Sequence, residues 1–175
     1  FTARAFVCYN KTMKKVANFE KVDKEIFDAA AKDAAFPADY NDIILPRRAT
    51  AGSAGYDFYA PADFTLKKGE SVKIPTGVRA KIDEGYFLSV YPRSGLGFKY
   101  RLQLDNTVGV IDADYYYSDN QGHIMIKLTN CSYEDKEVTV RKGQGFAQGI
   151  FTEFFITRDD EATSVRNGGF GSTTK

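Results

Sequence analysis

The chain has 175 residues, enough for one domain with a substantial core and too few for two large ones. Its 24 Lys and Arg against 23 Asp and Glu leave a formal net charge of +1, which argues against binding to nucleic acid or membranes through bulk charge. Hydrophobic residues at 43% and charged residues at 27% indicate a soluble globular chain, so we expect a cytoplasmic protein with no nucleic-acid or membrane partner. Two cysteines and one histidine are too few for a disulfide framework or a Cys/His metal site, and we expect no metal held by protein ligands.

The first part of the chain predicts one strand and one helix. Thr2–Tyr9 has the pattern of an opening strand. Val22–Phe36 carries apolar residues at helical spacing, with Asp23 as a candidate N-cap and Pro37 as the stop. We therefore predict a short helical insert over residues 10–41, packed on the surface of the main domain.

From residue 45 onward the pattern changes to short β-rich stretches separated by Gly or Pro turns. The predicted strands are Tyr56–Tyr59, Ser71–Ile74, Val78–Ile82, Tyr86–Tyr91, Val108–Ile111, His123–Asn130, Glu137–Val140 and Phe146–Phe155. Such spacing predicts an all-β antiparallel sandwich, jelly roll or barrel over residues 1–164. Residues 165–175 are too polar to pack a core, and we expect them to form a mobile glycine-rich arm.

Five stretches contain more Gly, Asp, Ser and Arg than strands and turns require. They are residues 51–57, 92–96, 109–115, 143–148 and 166–173. Each one alone has an ordinary explanation as a turn or a strand end. Read together, they favour a functional site.

Two of these stretches suit phosphate groups. Arg93, Ser94 and Gly95 offer a guanidinium fork, a hydroxyl and an unobstructed backbone N–H. The C-terminal stretch repeats the same chemistry with Arg166, Gly168, Gly169, Gly171, Ser172 and Thr173. Two separate phosphate-binding segments predict an extended polyphosphate ligand, and Phe170 is placed to stack on a planar group.

A third stretch supplies a candidate catalytic carboxylate. Asp112 ends the apolar run Val108–Ile111, so we expect its side chain at a strand end beside buried backbone, where it can accept a proton from water. Asp114 would share its strand face if pairing continues. Tyr115 belongs either to the core or to the floor of a sugar pocket.

In this order, the five stretches resemble the five motifs of the homotrimeric dUTPases (deoxyuridine triphosphate nucleotidohydrolases). The most specific matches are Pro-Arg-Ser-Gly-Leu, Gly-Val-Ile-Asp-Ala-Asp-Tyr and Gly-Gly-Phe-Gly-Ser-Thr, and the resemblance extends over residues 45–173. It implies a jelly-roll-like β barrel and a homotrimer with active sites shared between subunits. It also implies hydrolysis of dUTP to dUMP and pyrophosphate, with Mg²⁺ carried by the substrate triphosphate.

The resemblance further implies a role for individual residues. Asp112 would be the general base for attack of water on the α-phosphorus, and Asp57 would organise water near the metal. Tyr115 would pack beneath the deoxyribose and block a 2′-hydroxyl. The uracil hairpin would comprise Asn106, Gly109, Val110 and Ile111. The phosphates would be bound by Arg93, Ser94, Gly95 and Gln148, and by Arg166, Gly171, Ser172 and Thr173 of the arm, with Phe170 over the uracil.

The chain departs from the family pattern at two motifs. Residues 116–121 separate Tyr115 from Gly122, where the family usually has one residue, so the third motif contains an insertion. The fifth motif is one residue shorter between Arg166 and Phe170, and Thr174 replaces its closing Gly. The insertion makes Tyr116 the alternative to Tyr115 for the floor of the sugar pocket, with Tyr115 favoured, and the changes in the fifth motif would move the contact of Arg166 without abolishing it.

Three alternatives accompany this interpretation. A dCTP deaminase shares the fold but would lack the Gly-Val-Ile-Asp-x-Asp-Tyr hairpin. A nucleotide-gated interaction protein would use the closing arm to signal dUTP to a partner. An OB-type binder of single strands would use Phe98-Lys-Tyr-Arg as a stacking strand, although the near-zero net charge argues against it.

Overall fold

The computed structural model describes residues 13–164 and contains twelve strands and two α-helices. The strands are β1 Ala17–Lys21, β2 Arg47–Arg48, β3 Tyr56–Tyr59, β4 Phe64–Leu66, β5 Ser71–Pro75, β6 Val78–Ile82, β7 Tyr86–Pro92, β8 Leu102–Leu104, β9 Gly109–Ile111, β10 Met125–Asn130, β11 Val138–Val140 and β12 Gly145–Glu153. The helices are α1 Lys24–Asp33 and α2 Ser94–Tyr100, with 3₁₀ turns at Tyr40–Asp42 and Ala113–Tyr117. The predicted strand Thr2–Tyr9 and the predicted arm 165–175 lie outside the described residues.

All the strand pairs are antiparallel and fall into four hydrogen-bonded sets. The largest has the order β2-β3-β12-β7-β9, and the others are β5-β10-β8, β1-β6 and β11-β4. The prediction of the all-β class is confirmed, although the pairing within residues 13–164 does not close into a continuous barrel. Every predicted strand after residue 55 is present, with ends shifted by at most two residues.

A single apolar core holds these sets together. Its fully buried side chains include Phe58, Leu88, Leu128 and Phe146 from the strands. Phe27 of α1 is also completely buried. The helical insert is therefore more than a surface addition, because it contributes a large side chain to the core and its strand β1 pairs with β6 over five residues.

The ends of α1 differ from the sequence expectation. Asp23 is the N-cap residue but makes no side-chain capping bond. The helix ends at Asp33, because Ala35 adopts the left-handed region with φ 49°. Phe36 N donates to Ala31 O at 2.9 Å and Ala35 N to Lys32 O at 3.1 Å, which is the Schellman arrangement. Pro37 follows the stop and does not cause it.

Two local expectations are wrong. Asp114 does not continue the strand of Asp112, since the chain turns into the 3₁₀ segment Ala113–Tyr117 and the side chain is exposed. The stretch Phe98-Lys-Tyr-Arg is not a stacking strand, because it forms the end of α2 and its left-handed C-cap, Arg101. Within the described part of the chain, no helix has the length and apolar character needed to cross a bilayer.

Candidate active site

A cavity of about 520 Å³ opens beside β9 and the turn that precedes it. We call it the hairpin cavity. Its lining includes the four residues predicted for the uracil hairpin, Asn106, Gly109, Val110 and Ile111, together with Tyr115, predicted for the sugar. Apolar walls come from Val90, Leu104, Ile124, Met125 and Ile126, so the core of the fold shapes one side of the cavity.

The hairpin is held in place from both sides. Strand β9 pairs with β7, with Gly109 opposite Val90 and Ile111 opposite Leu88. At its other end, Asp105 accepts bonds from Lys127 Nζ at 2.7 Å and from the Thr129 hydroxyl. Burial raises the pKa of Asp105, but these two bonds outweigh it and hold the pKa below its usual value. The turn that carries Asn106 is thus tied to β10.

Tyr115 is both a core residue and a lining residue of the cavity. Its side chain is buried, with 4% of its surface exposed. Its hydroxyl donates to His123 O at 2.9 Å and accepts from Asn120 Nδ2 at 2.8 Å. Burial therefore holds the ring of Tyr115 in place, and two hydrogen bonds hold its hydroxyl.

A second group of predicted residues lies together at β7, β3 and β12. We call Asp57, Arg93, Ser94 and Gln148 the phosphate cluster. Arg93 Nε lies 3.3 Å from Asp57 Oδ1, and the register places Gln148 opposite Asp57. Arg93, Ser94 and Gln148 line a shallow hollow of about 540 Å³, and Gly95 is the second residue of the adjoining α2.

Close contact in this cluster depends on a glycine. A Cβ at position 145 would lie 2.7 Å from Arg93 Nη1, closer than side-chain atoms approach. Gln148 Nε2 also donates to Pro92 O at 3.2 Å, which ties β12 to the residue before Arg93. The guanidinium is half-exposed and able to reach a ligand.

Asp112 follows β9 directly and precedes the 3₁₀ segment, so the expectation that it ends a buried strand is confirmed. Its side chain is half-buried. It adjoins Ile111, which lines the hairpin cavity. Asp112 itself lines neither the hairpin cavity nor the hollow of the phosphate cluster.

The two groups of residues lie on different faces of β7. Val90 lines the hairpin cavity, whereas the next residue, Tyr91, lines the hollow of the phosphate cluster. Successive side chains of a strand point to opposite faces. One copy of the chain therefore presents its cavity and its cluster in different directions.

Some predicted residues cannot be placed, and others were missed. Arg166, Phe170, Gly171, Ser172 and Thr173 lie outside the described residues. In residues 13–164, no group of three or more His, Cys, Asp or Glu has the geometry to hold a metal ion. No sequence pattern indicated Lys73 and Lys127 at the cavity, because their place there depends on pairing between distant segments. The contact of Asn120 with Tyr115 is local but was also missed, because it depends on the turn formed by residues 116–122.

An all-β fold with an apolar cavity beside a hairpin and a separate cluster that carries a half-exposed guanidinium fits the class of enzymes that hydrolyse nucleoside triphosphates. The family model for dUTPase matches residues 41–174. The deoxyuridine 5'-triphosphate nucleotidohydrolase of Lactococcus lactis subsp. lactis is 42% identical over 134 residues, covering 75% of this chain and 88% of that protein. Its counterpart from Paraburkholderia phytofirmans is 38% identical over 163 residues, covering 89% and 99%.

Among solved structures, the dUTPase of Streptococcus mutans superposes with a TM-score of 0.61 at 34% identity, covering 79% of this chain and 97% of that one. The chain therefore belongs to the dUTPase family, and the predicted family and hydrolase class are confirmed.

Proposed function

We propose that this protein hydrolyses dUTP to dUMP and pyrophosphate, with the reaction divided between the hairpin cavity and the phosphate cluster. The observation that carries the proposal is the separate assembly of these two groups, one from the contiguous residues 106–115 and the other from residues that are distant in the sequence. The cavity brings Asn106 together with Tyr115, and the cluster brings Asp57 together with Arg93 and Gln148. One group suits a nucleoside and the other a polyphosphate.

The hairpin cavity would take the uracil and the deoxyribose. The backbone of Gly109, Val110 and Ile111 and the side chain of Asn106 offer hydrogen-bonding groups at the rim of an apolar hollow. The buried ring of Tyr115 forms a fixed surface beneath the sugar. Steric exclusion by a fixed ring is an effective way to reject a 2′-hydroxyl, because an apolar pocket alone discriminates only about 10- to 200-fold per methylene.

The phosphate cluster would neutralise the triphosphate. Arg93 supplies a bidentate donor, Ser94 a hydroxyl, and Gly95 a backbone N–H in the first turn of α2. Mg²⁺ carried by the substrate triphosphate would add to the neutralisation of the phosphate charge that Arg93 provides. Asp57, 3.3 Å from Arg93, would hold water near that ion and would not ligate the ion directly.

Asp112 would act as the general base. Its carboxylate accepts a proton from a water molecule whose oxygen attacks the α-phosphorus. The bond from the α-phosphorus to the bridging oxygen breaks, and pyrophosphate leaves with that oxygen. This step requires one positioned base and neutralised phosphates.

A homotrimer with shared sites completes the proposal. Because Val90 and Tyr91 direct the cavity and the cluster to opposite faces of β7, a single dUTP is better served by the cavity of one copy and the cluster of another. Arg166, Gly171, Ser172 and Thr173 would bind the outer phosphates, with Phe170 over the base. The cytoplasmic location stays a prediction.

The test is pyrophosphate release from dUTP, dTTP, dCTP and UTP, measured side by side with Mg²⁺. We expect turnover of dUTP far above that of the other three. Equal release from all four would contradict the proposed roles of the hairpin and Tyr115. Light scattering of the same protein tests the trimer, and a monomer that is fully active would contradict the shared site.

A further inference from the structure

Residues 116–121, which are five residues longer than the usual family connection, fold back on Tyr115, a lining residue of the hairpin cavity. Gln121 and Gly122 both have positive φ, 59° and 72°, and turn the chain sharply. A Cβ on Gly122 would lie 2.8 Å from Tyr115 O and 2.7 Å from Tyr116 Cα. The return of the chain is therefore packed directly against the backbone of Tyr115.

Within this segment, Asn120 holds the Tyr115 hydroxyl. Its Nδ2 donates to that hydroxyl at 2.8 Å, while its Oδ1 accepts from Gly122 N at 3.1 Å. The two contacts fix the orientation of the amide, since one end needs a donor and the other an acceptor. The hydroxyl in turn donates to His123 O at 2.9 Å.

The segment 116–121 is attached to the N-terminal part of the fold. The Gln121 side chain makes two bonds with Asp23: it accepts from Asp23 N at 2.9 Å and donates to Asp23 Oδ2 at 2.6 Å. Tyr116 donates to Glu20 Oε2 at 2.8 Å. Arg79 bonds the same carboxylate at 3.0 Å and lies over the Tyr116 ring. Residues 116–121 and the N-terminal part of the fold are thus hydrogen-bonded to each other, although they are distant in the sequence.

We infer that Asn120 is a positioning residue for sugar discrimination, supported by the bonds of Gln121 and Tyr116 to the N-terminal segment. The inference rests on the proposed function of Tyr115 and extends it to a residue outside the five motifs. Steric rejection of a 2′-hydroxyl works only if the ring cannot retreat. Loss of the Asn120 bond leaves the hydroxyl with one fewer partner and permits the ring to shift.

The experiment measures kcat and KM for dUTP and UTP with Mg²⁺ for the parent, Asn120→Ala and the matched control Asp119→Ala, whose side chain is exposed. For Asn120→Ala we expect the dUTP/UTP ratio of kcat/KM to fall roughly 3- to 10-fold, through a lower KM for UTP. Asp119→Ala should keep the parental ratio. Gln121→Ala should change the ratio in the same direction by a smaller factor, and it carries the test if Asn120→Ala does not fold.

A double-mutant cycle separates positioning from a general structural effect. In a Tyr115→Phe background the hydroxyl is absent, so adding Asn120→Ala should not change the ratio further. An unchanged ratio in folded Asn120→Ala, or an equal effect of Asn120→Ala with and without the Tyr115 hydroxyl, would overturn the inference. Failure of the parent to prefer dUTP would instead contradict the proposed function, and the two failures are thereby distinguishable.

Discussion

The hairpin cavity and the phosphate cluster are built by different physical means. The cavity takes its walls from the core, and Tyr115 is buried and bonded at both its backbone and its hydroxyl. The cluster lies at the surface, with 43% of the Arg93 side chain exposed and one ion pair of 3.3 Å to Asp57. The first region depends on packing and the second on charge.

The difference indicates that the two regions recognise different parts of the substrate by different means. A base and a sugar differ from their competitors by single methyl or hydroxyl groups, and a rigid wall is needed to tell them apart. A triphosphate is recognised by its charge, and adjustable cationic side chains suffice. The two regions should therefore respond differently to mutation, salt and pH.

The largest effect on activity is expected for Asp112, the proposed general base, because it would act on a substrate that both regions bind. Asp112→Asn keeps the shape of the side chain but cannot accept the proton from water, so kcat should fall by roughly 10²- to 10⁴-fold. Pyrophosphate release measures it, with Asp114→Asn, the exposed neighbour, as the control. A loss of less than tenfold in Asp112→Asn would mean that another group takes the proton.

The salt dependence of KM should distinguish the phosphate cluster from the hairpin cavity. Arg93→Ala removes a charged donor, and we expect KM for dUTP to rise roughly 10- to 100-fold. The rise should shrink between about 0.1 M and 1 M salt, because the Debye length falls from ~10 Å to ~3 Å. Arg141→Ala, which removes an exposed guanidinium that pairs with Asp63 and does not line the hollow of the cluster, is the control. Similar losses in both variants would indicate long-range attraction and not a specific contact.

Low pH should destabilise the fold on the cavity side through protonation of His123. This residue is buried, and Nε2 accepts from Gly77 N at 2.9 Å, which requires the neutral ring. Burial, with a smaller effect of Lys73, lowers the pKa of His123 from 6.5 to about 4. The unfolded chain therefore binds the proton first, so the stabilisation is complete above pH 6.5 and is lost as the pH falls toward 4.

Between pH 7 and pH 5 this loss amounts to about 2 kcal/mol of the free energy of unfolding. His123→Gln retains an acceptor that does not titrate, so its stability should change by about 2 kcal/mol less than the parent's over the same range. Urea unfolding at several pH values measures the difference. Parallel pH curves for parent and variant would show that His123 is not the responsible group.

The smallest expected effect concerns the end of helix α1, in the N-terminal part of the fold. Ala35 holds φ 49°, a region that glycine adopts without a steric penalty. Ala35→Gly should raise the free energy of unfolding by about 0.5 kcal/mol, because the relief of strain exceeds the entropic cost of glycine. Ala29→Gly, within α1, is the matched control and should lower it by about 1 kcal/mol. Equal destabilisation by both would mean that the helix end is not strained.

The sequence predicted well those elements that carry their own pattern. Tyr56–Tyr59 and Val78–Ile82 are strands with the predicted ends. Val78–Ile82 alternates between buried and more exposed side chains, and Tyr56–Tyr59 is rich in aromatic residues that favour strands. The helix Ser94–Tyr100 was missed, because Ser-Gly-Leu-Gly is poor in intrinsic helix propensity and the helix depends on its context. The two-residue strand Arg47–Arg48 is too short and too charged to show a pattern.

The site was predictable only as far as its motifs extend. Five of the residues that line the hairpin cavity were predicted, because they lie within the single stretch from Asn106 to Tyr115. The support of Tyr115 was not, since the bond of His123 to Gly77 joins residues 46 positions apart and that of Gln121 to Asp23 joins residues 98 apart. Contacts of this kind arise from the folded arrangement and leave no local signature.

Strand β12 sets a limit on how this protein can vary. It is bonded to β3 on one side and β7 on the other, and its register shifts between Gly145 and Ala147, where Phe146 is the extra residue. Deletion of Phe146 would leave Gln148 opposite Asp57 but would remove a completely buried side chain, whereas one residue inserted between Ala147 and Gln148 would turn Gln148 to the opposite face of the sheet. Length changes during evolution should therefore accumulate in loops such as 116–121, while β12 keeps a constant number of residues.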